Sequence, residues 1–147
     1  MSKLQSMLKD KVEAWVPFDG LPGFEVKLAY LARTELERIR KASTRSVFKK
    51  HQKEDELDAE MFMKHYVKAS LLDWKGFTIE YALKLLPIEV PSDVPLDETI
   101  DFSAEEALSL VKNSPEFDKW LNEIVFDLDS FRSESSRGNG NGPTKVS

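Results

Sequence analysis

Two histidines and a large set of carboxylates are the side chains of this sequence with an obvious capacity for chemistry. Neither His51 nor His65 stands in an HExxH motif or another metal-ligand spacing. His65 has Met61 four residues before it and Ala69 four after, the surroundings of a histidine at the edge of a core face. The sequence has no Cys, which removes disulfides, thiol nucleophiles and thiolate metal ligands together. Carboxylates gather at Asp55, Glu56, Asp58 and Glu60, and again at Asp127 and Asp129. Acid–base catalysis needs such a pair in a cleft that splits their pKa values. The first group instead falls in the opening turn of an expected helix, and the second falls near a helix end, so both read as solvated faces. Asp127 and Asp129 then sit at the unfavourable end of the helix dipole, for which stability gives no reason. A Gly-rich phosphate loop, a GxSxG elbow and a nucleotide fingerprint are all missing from the sequence. A serine nucleophile would need a histidine oriented by an acid. The expectation is a chain that binds other proteins, not an enzyme, with no catalytic, cofactor-binding or metal-binding residues.

Binding chemistry is better represented. The 147 residues carry a net charge of −5, distributed unevenly. Residues 1–54 hold 12 Lys/Arg against 7 Asp/Glu, whereas residues 55–131 hold 6 against 18. The acidic part repels nucleic acid and anionic membranes over most of its surface. The basic part is densest from Arg38 to Lys53, and Arg45, Lys49 and Lys50 are its candidates for contact with an acidic partner. Phe48 is the single aromatic interleaved with that run, too few for a convincing nucleic-acid patch. Phe126 is a sharper candidate. At about 100° per residue it falls opposite the stripe of Phe117, Leu121, Ile124 and Leu128. It is therefore either covered by another segment or available to a partner. Trp74 and Phe77 are further candidates, with an apolar contact at a helix C-terminus as the competing reading.

The elements that would carry these residues read as follows. Pro17, Gly20, Pro22 and Gly23 punctuate a turn, after which Phe24, Val26, Leu28 and Tyr30 alternate as a half-buried strand. Trp15-Val16 supplies a partner strand, giving a small hairpin at about residues 15–31. Thr34 to Glu37 form a capping box for a short helix. Residues 43–55 read as a mobile or surface segment. Asp55 caps a long helix that runs through Met61, Phe62, Tyr66 and Leu72 to a left-handed Gly76. Thr78 caps a short helix stopped by Pro87. Residues 87–99 form an acidic, Pro-rich loop. Ser103 opens the next helix with a second capping box, and Ser114-Pro115 opens the last, which carries one apolar stripe from Phe117 to Phe131. The fold class expected is mainly α, written α+β for its hairpin: one helical domain over residues 1–131, five or so helices, the small N-terminal hairpin, and a flexible Gly/Asn-rich tail over residues 132–147. No stretch approaches the roughly 18 apolar residues of a membrane span, and the N-terminus lacks a signal peptide's apolar stretch.

In order and spacing, these segments resemble the tail assembly chaperones of long-tailed bacteriophages and prophages. The matching pieces are Gly23 to Leu31 followed by Arg33 to Arg40, then Leu57 to Phe62, and then Asp73-Trp74-Lys75-Gly76-Phe77-Thr78. Ile100 to Ser103 with Glu106 to Leu108, Asn113 to Leu121, and the acidic helix end Asp127 to Phe131 complete the set. The resemblance covers about residues 15–131, and the segment around Trp74 is its most particular piece. It implies a helical adaptor of the host cell cytoplasm, absent from the finished virion. Such an adaptor binds the tape measure protein and recruits tail tube protein during tail assembly. It also implies that the Gly/Asn-rich tail is either a free end or a linker before a frameshifted extension, and it brings no catalytic residues. The competing expectation is a generic helical adaptor or regulatory protein with a single protein or nucleic-acid partner.

Overall fold

A computed structural model describes residues 2–9 and 11–137, with side chains through residue 132. In chain order the elements are α1 (Lys3–Met7), β1 (Glu13–Pro17), β2 (Glu25–Ala29), α2 (Arg33–Ala42), β3 (Thr44–Lys49), β4 (Gln52–Leu57), α3 (Ala59–Ser70), β5 (Leu71–Lys75), α4 (Ile79–Leu85), α5 (Ala104–Asn113), α6 (Pro115–Val125) and α7 (Leu128–Arg137).

Strand β2 is the middle of a three-stranded antiparallel sheet in the order β1-β2-β5. Its alternation divides the sheet into two faces. Val26 lies between Val16 and Trp74, and Leu28 opposes Leu71; all five are buried. The other face pairs Trp15 with Lys27 and Glu25 with Lys75. There Lys27 meets Glu13 at 3.6 Å, Lys75 meets Glu25 at 3.4 Å, and the Lys75 ammonium lies 4.6 Å from the centre of the Trp15 ring. This is a charged outer face over an apolar inner one.

The inner face and the helices enclose an aromatic core. Phe24 is fully buried and stacks on Phe77 at 4.7 Å between ring centres. Phe18 lies 4.8 Å from Trp120 and 5.7 Å from Phe117. Trp74 packs edge-on against Phe77 and Phe102, and its indole N–H donates to the Ile100 carbonyl at 2.8 Å. Fully burying each such ring contributes roughly 1.5–3 kcal/mol. The two C-terminal helices are tied to the residues that follow β2: Phe131 of α7 packs on Tyr30, and the Leu31 N–H donates to the carbonyl of Val125, the last residue of α6, at 2.8 Å.

The fold corrects the expectation of a mainly helical domain with a single small hairpin. Strands are a substantial part of the chain, in two antiparallel sheets. The β1–β2 pair is present but is not a free-standing hairpin, because β5 completes its sheet. Residues 71–75 continue the helical pattern in sequence, yet their backbone pairs with β2, with a bulge at Leu72 opposite Lys27 and Leu28. Tertiary pairing overrides local preference there. Residues 43–55, expected as a mobile or surface segment without regular structure of its own, are on the surface and contribute most of the β3–β4 hairpin.

Several helix starts also move. Asp58, not Asp55, caps α3, its carboxylate accepting from the Met61 N–H at 3.1 Å, while Asp55 lies in β4. Ala32 precedes α2 without a side-chain cap, so Thr34 does not serve as one. Thr78, Ser103 and Ser114 each accept a backbone N–H at the start of α4, α5 and α6. The stripe from Phe117 to Phe131 is divided between two helices, because α6 ends at Val125. That break accounts for the two aspartates. Asp127 accepts from the Asp129 N–H and the Ser130 hydroxyl, both at 3.1 Å, at the start of α7. Asp129 lies in the first turn of that helix, the favourable end of its dipole. Helix α7 runs on through Arg137, past the start of the expected tail; the tail from residue 138 lies outside the described residues.

Candidate protein-binding surface

The β3–β4 hairpin is a two-stranded arm. Thr44 pairs with Leu57, Arg45 with Glu56, Val47 with Glu54, Phe48 with Lys53 and Lys49 with Gln52. Strand β3 carries β-branched and aromatic residues that suit a pleated surface. The turn is Lys50-His51, with φ of 52° and 67°. A two-residue hairpin turn commonly requires positive φ at both positions, which Asn-Gly supplies most cheaply. Here two ordinary residues hold it. At the base of the arm, the Asp58 N–H donates to the Ser43 carbonyl at 2.8 Å, and Ser43 is itself buried.

Charge is ordered along the arm. Lys49 meets Glu56 at 3.4 Å and Arg45 meets Asp58 at 3.9 Å, so these two cations are partnered toward the base. Toward the tip, Phe48 is 79% exposed and stands across from Lys53. An aromatic ring this open on a regular element is the sort of anchor that protein interfaces use.

A second aromatic group lies where α3 meets the end of α6. Phe62 stacks on Tyr66 at 6.2 Å, and Tyr66 stacks on Phe126 at 6.0 Å. Phe126 follows the last residue of α6, and Tyr66 covers part of its ring, leaving it 44% exposed. The Tyr66 hydroxyl donates to the Asn122 side-chain oxygen. Burial, and secondarily the nearby Asp118 carboxylate, push the Tyr66 phenol well above its ordinary value. The folded chain thus keeps a proton that the unfolded chain loses near pH 10.0. The contribution is fully present below that pH and is lost as pH rises beyond it. Urea midpoints measured through the alkaline range should fall for the native chain, and Tyr66→Phe should flatten the decline.

The residues proposed from sequence therefore separate. Arg45, Lys49 and Lys50 lie together on the arm, all exposed. Phe126 is on the surface at a different place. Trp74 and Phe77 are 5% and 2% exposed and belong to the aromatic core, at the end of a strand and not of a helix. Phe48 is a further candidate contact that the sequence reading does not single out. Its sequence signal is an aromatic between Arg45 and Lys53 in a segment too polar to bury it. His51 and His65 are both exposed, and among the described residues no group of three or more His, Asp or Glu could hold a metal ion. Among the described residues no helix is long and apolar enough to cross a membrane. Compared with known protein families, curated proteins and solved structures, the chain matches none.

Proposed function

We propose that this chain is a tail assembly chaperone that binds the tape measure protein and recruits tail tube protein in the host cell cytoplasm, and that it leaves before the virion is complete. The observation that carries a protein-binding reading is the arm: a regular hairpin that presents Phe48 at 79% exposure. A holding factor needs apolar surface within reach of a client and enough charge to remain soluble itself. Phe48 and the half-covered Phe126 supply the first, and the net charge of −5 supplies the second. The order of motifs along residues 15–131 directs the choice of client.

Co-expression with the tape-measure-like and tube-like products of neighbouring genes tests the reading. The native chain is expected to keep the tape measure product soluble and to co-purify with it. Phe48→Ser should leave the melting curve within error and reduce capture by about tenfold or more, as for a central aromatic anchor. Recovery of a single unrelated protein or a specific nucleic acid, with no effect on the tape measure product, would replace this reading with the generic adaptor.

A further inference from the structure

We infer that the tip of the β3–β4 arm docks on an acidic protein segment whose interspersed apolar side chains cover Phe48. The inference rests on the chain being a protein-binding factor and names the chemistry of one partner site.

Along Thr44–Leu57 the arm has four cationic side chains and three carboxylates, Glu54, Asp55 and Glu56, all on β4 beyond Lys53. Two of the four, Arg45 and Lys49, are taken by Asp58 and Glu56. Among the described residues Lys50 and Lys53 form no ion pair. Lys53 is the cross-strand neighbour of Phe48, and Lys50 is in the turn two residues beyond it. An exposed ring flanked by two unpartnered ammonium groups has the composition of an interface centre with a polar rim. Its complement is a stretch in which apolar side chains alternate with carboxylates. Lys49 pairs with Gln52 beside the turn, so the tip belongs to the ladder, and a regular element loses less entropy on docking than an open loop.

The same charge pattern argues against a nucleic acid on the arm. A polyanion extends well beyond a six-residue strand, and residues 55–131 hold 18 Asp/Glu against 6 Lys/Arg. Its phosphates would run past the tip along β4, where Glu54, Asp55 and Glu56 follow Lys53 within about 10 Å, the screening length of 0.1 M salt. A short acidic stretch can end at Phe48, Lys50 and Lys53.

The test uses the full chain and three fluorescent probes. One is a synthetic peptide alternating Glu and Leu, one its Lys/Leu counterpart, and one a single-stranded oligonucleotide. The acidic peptide is expected to bind best, and more weakly as salt is raised. Phe48→Ser and the double variant Lys50→Glu/Lys53→Glu should each weaken it by about tenfold or more. Lys50→Arg/Lys53→Arg should retain it, and circular dichroism of every variant should match the native chain. Equal binding of the basic peptide, tighter binding of the oligonucleotide, or indifference to the double variant would overturn the inference. So would sedimentation showing that the arm instead joins a second copy of this chain. Tape measure capture that survives Lys50→Glu/Lys53→Glu overturns the arm's role and spares the chaperone reading. Loss of capture by the native chain with peptide binding intact does the reverse.

Discussion

Gly76→Ala should leave a chain that is severely destabilised or unable to fold. Gly76 follows β5 with a φ of +75°, a conformation that costs a residue with a Cβ about 1–2 kcal/mol. The larger effect is steric. A Cβ at this position would lie 1.9 Å from the Gly23 carbonyl oxygen and 2.8 Å from its carbon. Both are backbone atoms, so no side chain can swing aside. Relief requires β5 to separate from the β1–β2 turn, and Phe24 and Phe77, which stack at 4.7 Å, are the residues adjoining that contact. Strain and overpacking together should exceed roughly 3 kcal/mol, a large share of an ordinary domain's stability. A fall in Tm of roughly 10 °C or more is expected in a thermal melt. Gly20→Ala is the control. Its φ is +86°, but nothing lies within 4 Å of the added carbon, so only the backbone strain of about 1–2 kcal/mol should appear. Similar melts for the two variants would show that the close approach to Gly23 does not constrain the fold.

Phe24→Ala is expected to cost about 3–5 kcal/mol, read as a shift in the urea midpoint at unchanged slope. The ring is fully buried and lies within 6.4 Å, centre to centre, of Phe18, Trp74, Phe77 and Phe117. These neighbours come from the β1–β2 turn, β5, the residues before α4, and α6. Removing the ring opens a cavity whose walls belong to separate elements. They cannot close on it without moving the sheet relative to the helices. Phe24→Leu keeps most of the volume and should cost less than about 1.5 kcal/mol. A loss below about 1 kcal/mol for Phe24→Ala would mean that the core repacks around the void. Neither change touches the arm, so the capture and peptide experiments should respond to Phe48 and the tip lysines independently of core stability.

Local chemistry alone determined the parts of this protein where neighbours in sequence are also neighbours in space. The caps at Thr78, Ser103 and Ser114 accept backbone N–H groups three residues on, an interaction complete within one turn. The alternation from Phe24 to Leu28 specified a half-buried strand, and the Pro/Gly cluster before it specified the turn. Tertiary structure decided the rest. Leu71 to Lys75 could extend a helix, and they are a strand because β2 presents an edge to them. Trp74 and Phe77 could face either solvent or core; their place inside follows from Phe24, some fifty residues earlier in the chain. One continuous helix over residues 115–131 would place Asp127 and Asp129 against the dipole, and the break at Phe126 turns them into a helix start. The arm was hidden for a different reason. Its turn is Lys50-His51, without the Asn-Gly signal, and its strands are too polar to show alternation. The pairing of β3 with β4 is local in sequence, but only its register in the fold sets Phe48 beside Lys53 on the candidate binding surface.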